Sequence, residues 1–118
     1  MNKKEFDKFL QRDQYCLHCG VQDDTLVPQH RRNRGIGGSV SRSKPSNVIV
    51  VCSLANGLFE ASEAHSVTAQ AYGWKLRAGE NPEWAPVYDA YAGVWYVLDD
   101  EYGRIEVAEE NPTQVKER

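Results

Sequence analysis

A histidine that follows a short apolar segment and precedes a run of arginines and glycines is the part of this sequence best suited to chemistry. His30 comes directly after residues 26–29, and residues 31–38 hold three arginines and three glycines. A histidine near neutral pH can act as a general base, and arginine binds phosphate through charge-assisted hydrogen bonds. These residue types indicate a base next to a phosphate-binding loop.

Two asparagines follow His30 at fixed distances. Asn47 comes before a run of β-branched residues, and Asn56 comes after that run, near the start of a predicted helix. Amide oxygens are acceptable ligands for hard cations such as Mg²⁺. The layout therefore indicates a base, a set of oxygen ligands for a hard metal ion, and arginines for phosphate.

Three cysteines form a second group of residues with potential chemistry. Cys16 and Cys19 are separated by two residues, Gly20 allows the chain to reverse, and Cys52 ends the β-branched run. An odd number of cysteines with one such pair fits a metal site better than a disulfide framework. Three thiolates are one ligand short of tetrahedral zinc. Two alternatives therefore stay open: a structural Zn²⁺, or three reduced thiols packed as small apolar side chains.

Two further histidines are candidates for a fourth ligand. His18 lies inside the C-x-x-C pair, and we expect its ring to point away from the sulfurs. His65 lies in a second predicted helix and qualifies only if that helix folds back. For both residues, a surface position is the simpler interpretation.

Length and composition restrict the class of protein. The 118 residues suffice for one domain with a modest core, and 41% hydrophobic and 26% charged residues are ordinary for a globular protein. No apolar run approaches the roughly 18 residues of a membrane helix, and the polar first residues do not look like a signal peptide. We therefore expect a cytoplasmic protein with no membrane contact.

The net charge of −3 argues against general nucleic-acid binding, but the charge is unevenly distributed. Residues 29–47 hold five basic residues and no acidic one, whereas residues 99–118 hold seven acidic and three basic residues. A basic loop on an acidic body can bind phosphate locally while the body limits non-specific binding. The alternative is a merely solvated loop. The basic residues are Arg31, Arg32, Arg34, Arg42 and Lys44.

The hydrophobic pattern predicts an α+β fold. Asn2 and Glu5 form a plausible capping box for a first helix, and Ser53 or Asn56 is expected to cap a later helix. Gly73 is expected to end a second helical segment after it. The predicted elements are a helix at 3–12, a cysteine turn at 15–20, strands at 26–30 and 48–52 joined by a loop, and helical segments up to 72.

The C-terminal half has a different character. A hairpin is predicted for residues 87–89 and 94–98 around Ala92-Gly93, with a third strand at 104–107. Its aromatic residues are interpreted mainly as core and sheet packing, with a base-stacking or partner surface as the alternative. Residues 109–118 are expected to be a frayed tail. The aromatic residues are Trp84, Tyr88, Tyr91, Trp95, Tyr96 and Tyr102.

Taken together, these motifs resemble the HNH (His-Me finger) endonucleases, in particular the small ones carried by phages of actinobacteria. The similar features are the C-x-x-C pair, a strand ending in His30, the Arg-Gly loop, Asn47 before a β-branched strand, and Cys52 before a helix. The resemblance covers residues 16–76. The segments 73–76, 86–89 and 95–100 also resemble the ends of those phage proteins.

The resemblance implies a ββα-metal core that hydrolyses DNA phosphodiester bonds with a single Mg²⁺ or Mn²⁺. It places His30 as the general base and Asn47 as the residue that fixes the loop and orients that base. It places Gln29 and Asn56 at metal-ligand positions, and Glu60, one helical turn after Asn56, can complete the set. Because Gln29 and Asn56 are neutral donors, we expect weak metal binding.

The resemblance also bears on zinc and on domain organisation. Family members often hold zinc with two C-x-x-C pairs, whereas here the second pair reads Cys52-Ser53-Leu54-Ala55. We expect one domain with an HNH-like core at 16–76, a C-terminal β extension at 77–108 and the tail. Three functions stay open: a DNA endonuclease or nickase in an infected bacterial host, a DNA-binding module on the same scaffold that no longer cleaves, and a protein that binds a phage or host partner through its C-terminal half.

Overall fold

An antiparallel pair of strands lies at the centre of the fold. In the computed structural model, which describes residues 1–32 and 44–108, strand β1 (Leu26–His30) pairs with strand β2 (Val48–Cys52). Leu26 lies opposite Cys52, and His30 lies opposite Val48. Every residue of β2 is buried, as expected for a run of β-branched residues covered on both faces. The pair matches both strands predicted from the sequence.

One face of this pair is covered by helix α1 (Lys3–Asp13). The helix begins at Asn2, whose side-chain oxygen accepts a hydrogen bond from Glu5 N at 2.8 Å, so the predicted cap is confirmed. Phe9 packs with Val48 and Val50 of β2. The apolar face of α1 therefore packs on β2 from one side.

Helices α2 (Ser53–Ala61) and α3 (Glu63–Ala71) follow β2 and pack against each other. The predicted cap of α2 was wrong, because Cys52 is the N-cap and its sulfur accepts a hydrogen bond from Ala55 N at 3.4 Å. Asn56 is the fourth residue of α2 and does not cap the helix. Gly73 follows α3 with φ +76°, and a Cβ there would meet Pro86 O at 2.0 Å.

The C-terminal part forms a separate three-stranded antiparallel sheet, in the order β3 (Val87–Asp89), β4 (Val94–Leu98) and β5 (Arg104–Glu106). Tyr88 and Trp95 stack with Tyr72, which follows α3. Tyr102 packs on Phe9. Most of these aromatic residues therefore join the sheet to the core, whereas Trp84 is 79% exposed.

The part of the chain that the structure describes is thus an α+β domain with three α-helices and two small antiparallel sheets. Within that part, no helix combines the length and apolar character needed to cross a membrane. The predicted tail at 109–118 and residues 33–43 of the predicted Arg-Gly loop lie outside the described residues.

Candidate functional site

His30 is the last residue of β1, at the point where the chain leaves the strand pair. The next residues are held by Asn47, which lies in a short 3₁₀ turn (Pro45–Asn47) before β2. Arg32 N donates to Asn47 Oδ1 at 2.8 Å, and Asn47 Nδ2 donates to Arg32 O at 3.4 Å. Arg31 N also donates to Asn47 O at 2.8 Å. Asn47 therefore ties down the start of the loop, as predicted, while its effect on His30 stays a prediction.

The 3₁₀ turn that carries Asn47 is itself held by charged residues that sequence reasoning missed. Arg12 donates to Pro45 O at 2.9 Å and to Val48 O at 2.5 Å, while it forms a buried, two-point ion pair with Asp13. Asp13 also accepts from Val50 N at 3.0 Å. The signal in the sequence is positional, because residues three and four after Phe9 lie on the same helical face and must point into the core.

Arg31 corrects one prediction of the phosphate-binding set. Its side chain is fully buried, and all five of its N–H donors are used by backbone carbonyls, so it has no donor left for phosphate. Burial, with a smaller contribution from the charge of Arg12, lowers the pKa of Arg31 to about 9, which leaves it charged at neutral pH. The acceptors, at 2.7–3.4 Å, are the carbonyls of Gly73, Ser46, Pro82, Ala85 and Pro86.

The other predicted phosphate ligands divide into two groups. Arg32 is half-buried and Lys44 is exposed, and Lys44 Nζ lies 3.6 Å from Asp100 Oδ2. Burial opposes ionisation of Asp100, but its hydrogen bond from Ser46 and the charge of Lys44 outweigh burial and lower its pKa. Arg34 and Arg42 lie outside the described residues.

Two of the three predicted metal ligands meet beside β1. Asn56 Nδ2 donates to Gln29 Oε1 at 2.6 Å, and Gln29 Nε2 donates to Trp74 O at 3.2 Å. We call Gln29 and Asn56 the amide pair. Gln29 is buried and Asn56 is half-buried, so the hydrogen bond between them is partly shielded from solvent. The prediction that Gln29, Asn56 and Glu60 share one metal site beside His30 stays a prediction.

Glu60 has another contact in the structure. Its carboxylate lies 3.5 Å from Lys75 Nζ, and its side chain is 51% exposed whereas that of Lys75 is 14% exposed. Lys75 also donates to Phe59 O at 3.2 Å. The segment that carries Lys75 borders β1, because Leu76 N donates to Arg31 O at 2.6 Å. Lys75, which no sequence motif indicated, therefore pairs with Glu60, the one acidic residue among the predicted metal ligands.

The three cysteines lie together at the opposite end of the strand pair. Cys19 Sγ and Cys52 Sγ are 3.9 Å apart, and the ligand atoms of Cys16, His18 and Cys19 all lie within 4.8 Å of one another. Gly20 has φ +83°, and its N–H donates to Cys16 O at 2.7 Å, which closes the predicted turn. All three thiols are free of disulfides. Cys16, His18 and Cys19 could together hold a metal ion, and we call these three residues with Cys52 the cysteine group.

His18 corrects a second prediction, because its ring joins the sulfurs instead of pointing away from them. The ring packs edge-on against Phe59 and Trp74, and its Nδ1 is buried without a hydrogen-bond partner. Burial and the nearby His65 lower the pKa of His18, which favours the neutral imidazole. His65 is exposed, and its own Nδ1 lies 2.9 Å from Ser62 Oγ. His18, and not His65, is the histidine of the cysteine group.

Comparisons with models of known protein families, with curated proteins and with solved structures find no match for this chain. Its activity has to be inferred from the two sites themselves.

Proposed function

We propose that this chain is a metal-dependent endonuclease that hydrolyses DNA phosphodiester bonds, with His30 as the general base. The observation that carries the proposal is the placement of His30 at the end of β1, with Asn47 fixing the following residues. The amide pair lies at the helix that comes directly after β2. This order of two paired strands and a helix is what the resemblance to HNH endonucleases implies for a ββα-metal core.

In the proposed reaction, His30 accepts a proton from a water molecule while the water oxygen attacks phosphorus. The bond from phosphorus to the leaving sugar oxygen breaks, and that oxygen gains a proton from solvent. Asn47 acts as a positioning residue by holding the backbone directly after His30. Arg32 and Lys44, at the two described ends of the loop, bind flanking phosphates.

Gln29, Asn56 and Glu60 are the residues that would hold a single Mg²⁺ or Mn²⁺. The ion would neutralise charge on the phosphate when bound. The donors fit a hard cation: an amide oxygen has two lone pairs, so Gln29 Oε1 can accept the Asn56 bond and still face a cation. They do not fit zinc, which prefers nitrogen and sulfur. The cysteine group in turn would hold a structural Zn²⁺ away from the chemistry.

A DNA-binding module that no longer cleaves is the second candidate. The pairing of Glu60 with Lys75 favours it, because this contact uses the one carboxylate of the predicted metal site. The two candidates share DNA affinity and differ in cleavage. They are therefore separated by one measurement on the same protein.

The test is incubation with supercoiled plasmid in Mg²⁺, in Mn²⁺ and in EDTA, alongside DNA binding measured by fluorescence anisotropy. We expect nicked or linear product with either metal and none in EDTA. His30→Ala should lower the rate by roughly 10²–10⁴-fold without changing DNA affinity, and His65→Ala, an exposed histidine, is the matched control. DNA binding without cleavage in any metal would favour the second candidate. Absence of both activities would overturn both candidates.

A further inference from the structure

We infer that Cys16, His18, Cys19 and Cys52 form a complete tetrahedral zinc site, in which His18 supplies the fourth ligand. This extends the structural-ion part of the proposed function and does not depend on DNA cleavage. The sequence offers three thiolates, and a closed structural site needs four ligands of sulfur or nitrogen. The fourth comes from inside the C-x-x-C pair.

The sulfur spacing supports this assignment. With Zn–S bonds of about 2.3 Å, two thiolates of a tetrahedral site are separated by about 3.8 Å. Cys19 Sγ and Cys52 Sγ are 3.9 Å apart, much farther than a disulfide and at the spacing that a shared ion requires. The chain therefore holds these sulfurs where two zinc ligands would lie.

The buried nitrogen of His18 supplies the second observation. Its Nδ1 is enclosed without a hydrogen-bond partner, and a buried polar atom without a partner costs free energy. The same residue has a ligand nitrogen within 4.8 Å of the sulfurs of Cys16 and Cys19. Coordination to an ion at the centre of this group would satisfy the ring, while Phe59 and Trp74 fix its plane.

The backbone around the site is arranged to support thiolates. Ala55 N donates to Cys52 Sγ at 3.4 Å from the first turn of α2, where the helix dipole also favours negative charge. Ala55 itself is buried in the core. In a second C-x-x-C pair that began at Cys52, the last cysteine would stand at position 55. Because that position holds alanine, His18 would supply the fourth ligand in its place.

Zinc content and X-ray absorption of the purified full chain test the assignment. We expect one Zn²⁺ per chain, with a first shell of three sulfurs at about 2.3 Å and one nitrogen at about 2.0 Å, and with outer-shell scattering from one imidazole. This measurement needs no variant, so a folding defect cannot obscure it. A protein that binds no zinc, or a shell of three sulfurs and one oxygen without imidazole scattering, would overturn the assignment.

Variants of the two histidines give an independent check. His18→Ala should lower zinc affinity by more than the roughly 10–100-fold that loss of an outer-shell partner costs, and His65→Ala should leave it unchanged. His18→Cys should restore a tetrahedral site, visible with Co²⁺ as stronger sulfur-to-metal charge-transfer absorption than in the unmodified chain. If His18 only packed against its neighbours, a cysteine in its place would not add a sulfur ligand to the metal. Unchanged zinc affinity in His18→Ala would contradict the inference.

Discussion

The two ends of the β1–β2 pair carry opposite kinds of donors. At the Leu26–Cys52 end, sulfurs and an imidazole converge, with Cys16 and Cys52 buried, His18 half-buried and Cys19 exposed. At the His30–Val48 end, about 13 Å away along the strand, His30 follows Gln29 of the amide pair, and the Glu60 carboxylate lies on α2 beside Lys75. The sulfurs and imidazole at the first end would suit zinc, whereas the amide and carboxylate oxygens at the second would suit a hard cation.

The two ends of the strand pair also differ in which parts of the chain bring their side chains together. Three residues of the cysteine group come from one local turn, residues 16–20, while Cys52 at the cap of α2 and the rings of Phe59 and Trp74 complete its surroundings. The His30 end depends on long-range contacts: Arg12 and Arg31 hold the turn before Asn47, and Asp100 accepts a hydrogen bond from Ser46 N in that turn at 2.9 Å. We expect the stability of the first end to depend on bound zinc and the stability of the second to depend on residues far away in the sequence.

Metal removal should give the largest effect and should act on the cysteine end alone. Small zinc domains gain about 10–16 kcal/mol of apparent free energy from their ion, and this chain, which also has an apolar core, should lose at least about 5 kcal/mol, or roughly 20 °C in Tm. Differential scanning calorimetry before and after chelation measures it. Added Zn²⁺ should restore the Tm, and added Mg²⁺ should not; equal recovery with Mg²⁺ would contradict the separation of the two ends.

Arg31→Met should have the next largest effect, on the His30 end. The substitution leaves two buried and three half-buried carbonyls without their donors, so we expect a loss of about 3–5 kcal/mol in the free energy of unfolding. Arg31→Lys should rescue little, because an ammonium cannot reproduce the planar fork. The matched control is the neighbouring Arg32→Met, which should stay within about 0.5 kcal/mol. Urea unfolding of the three variants compares them, and equal losses at both positions would show that Arg31 has no special role.

These adjacent arginines show what sequence could and could not predict. The strand bounds at 26–30 and 48–52, the first helix and the C-terminal hairpin were predicted correctly, because they follow from local periodicity and β-branched runs. The convergence of the three cysteines was also predicted. The burial of Arg31 could not be, since its acceptors come from residues 46–86 and only the tertiary fold assembles them. The orientation of His18 depends likewise on Phe59 and Trp74.

A smaller effect is expected where the cysteine end meets the C-terminal sheet. Tyr15 Oη donates to the buried Asp89 Oδ2 at 2.5 Å, and Tyr15→Phe leaves that oxygen with one partner fewer, at a cost of about 1–3 kcal/mol. Burial, followed by the hydrogen bond to Asp89, raises the pKa of Tyr15 to about 12.

The raised pKa gives this contact a pH signature. The unfolded chain loses the Tyr15 proton near its ordinary pKa of about 10, while the folded chain keeps it, so the stabilisation should be complete below pH 10 and should fall as the pH rises towards 12. Denaturant unfolding at pH 8, 10 and 11 should therefore show the difference between the original chain and Tyr15→Phe shrinking with pH. If the stability difference between the two chains stays constant with pH, the pKa shift of Tyr15 does not contribute to stability.

The smallest effect tests whether Glu60 belongs to the hard-ligand end at all. Its partner Lys75 neutralises the only carboxylate of the predicted set, at 3.5 Å and with half of the Glu60 side chain exposed. A pair at this distance with one half-exposed partner is worth about 1 kcal/mol in a water-like dielectric. Lys75→Met should therefore tighten Mn²⁺ binding by roughly fivefold, if Glu60 is a ligand.

Electron paramagnetic resonance titration of Mn²⁺ measures this affinity without any requirement for cleavage. Glu60→Gln should weaken Mn²⁺ binding and should abolish the gain that Lys75→Met provides, because the ammonium then has no carboxylate to neutralise. Glu83→Gln, at an exposed residue between α3 and β3, is the matched control for the loss of one negative charge. If Glu60→Gln and Glu83→Gln change the affinity equally, Glu60 contributes only net charge, and the hard end of the strand pair consists of His30 and the amide pair alone. Such an end holds no anionic ligand, and the DNA-binding module that no longer cleaves would then become the better account of this surface.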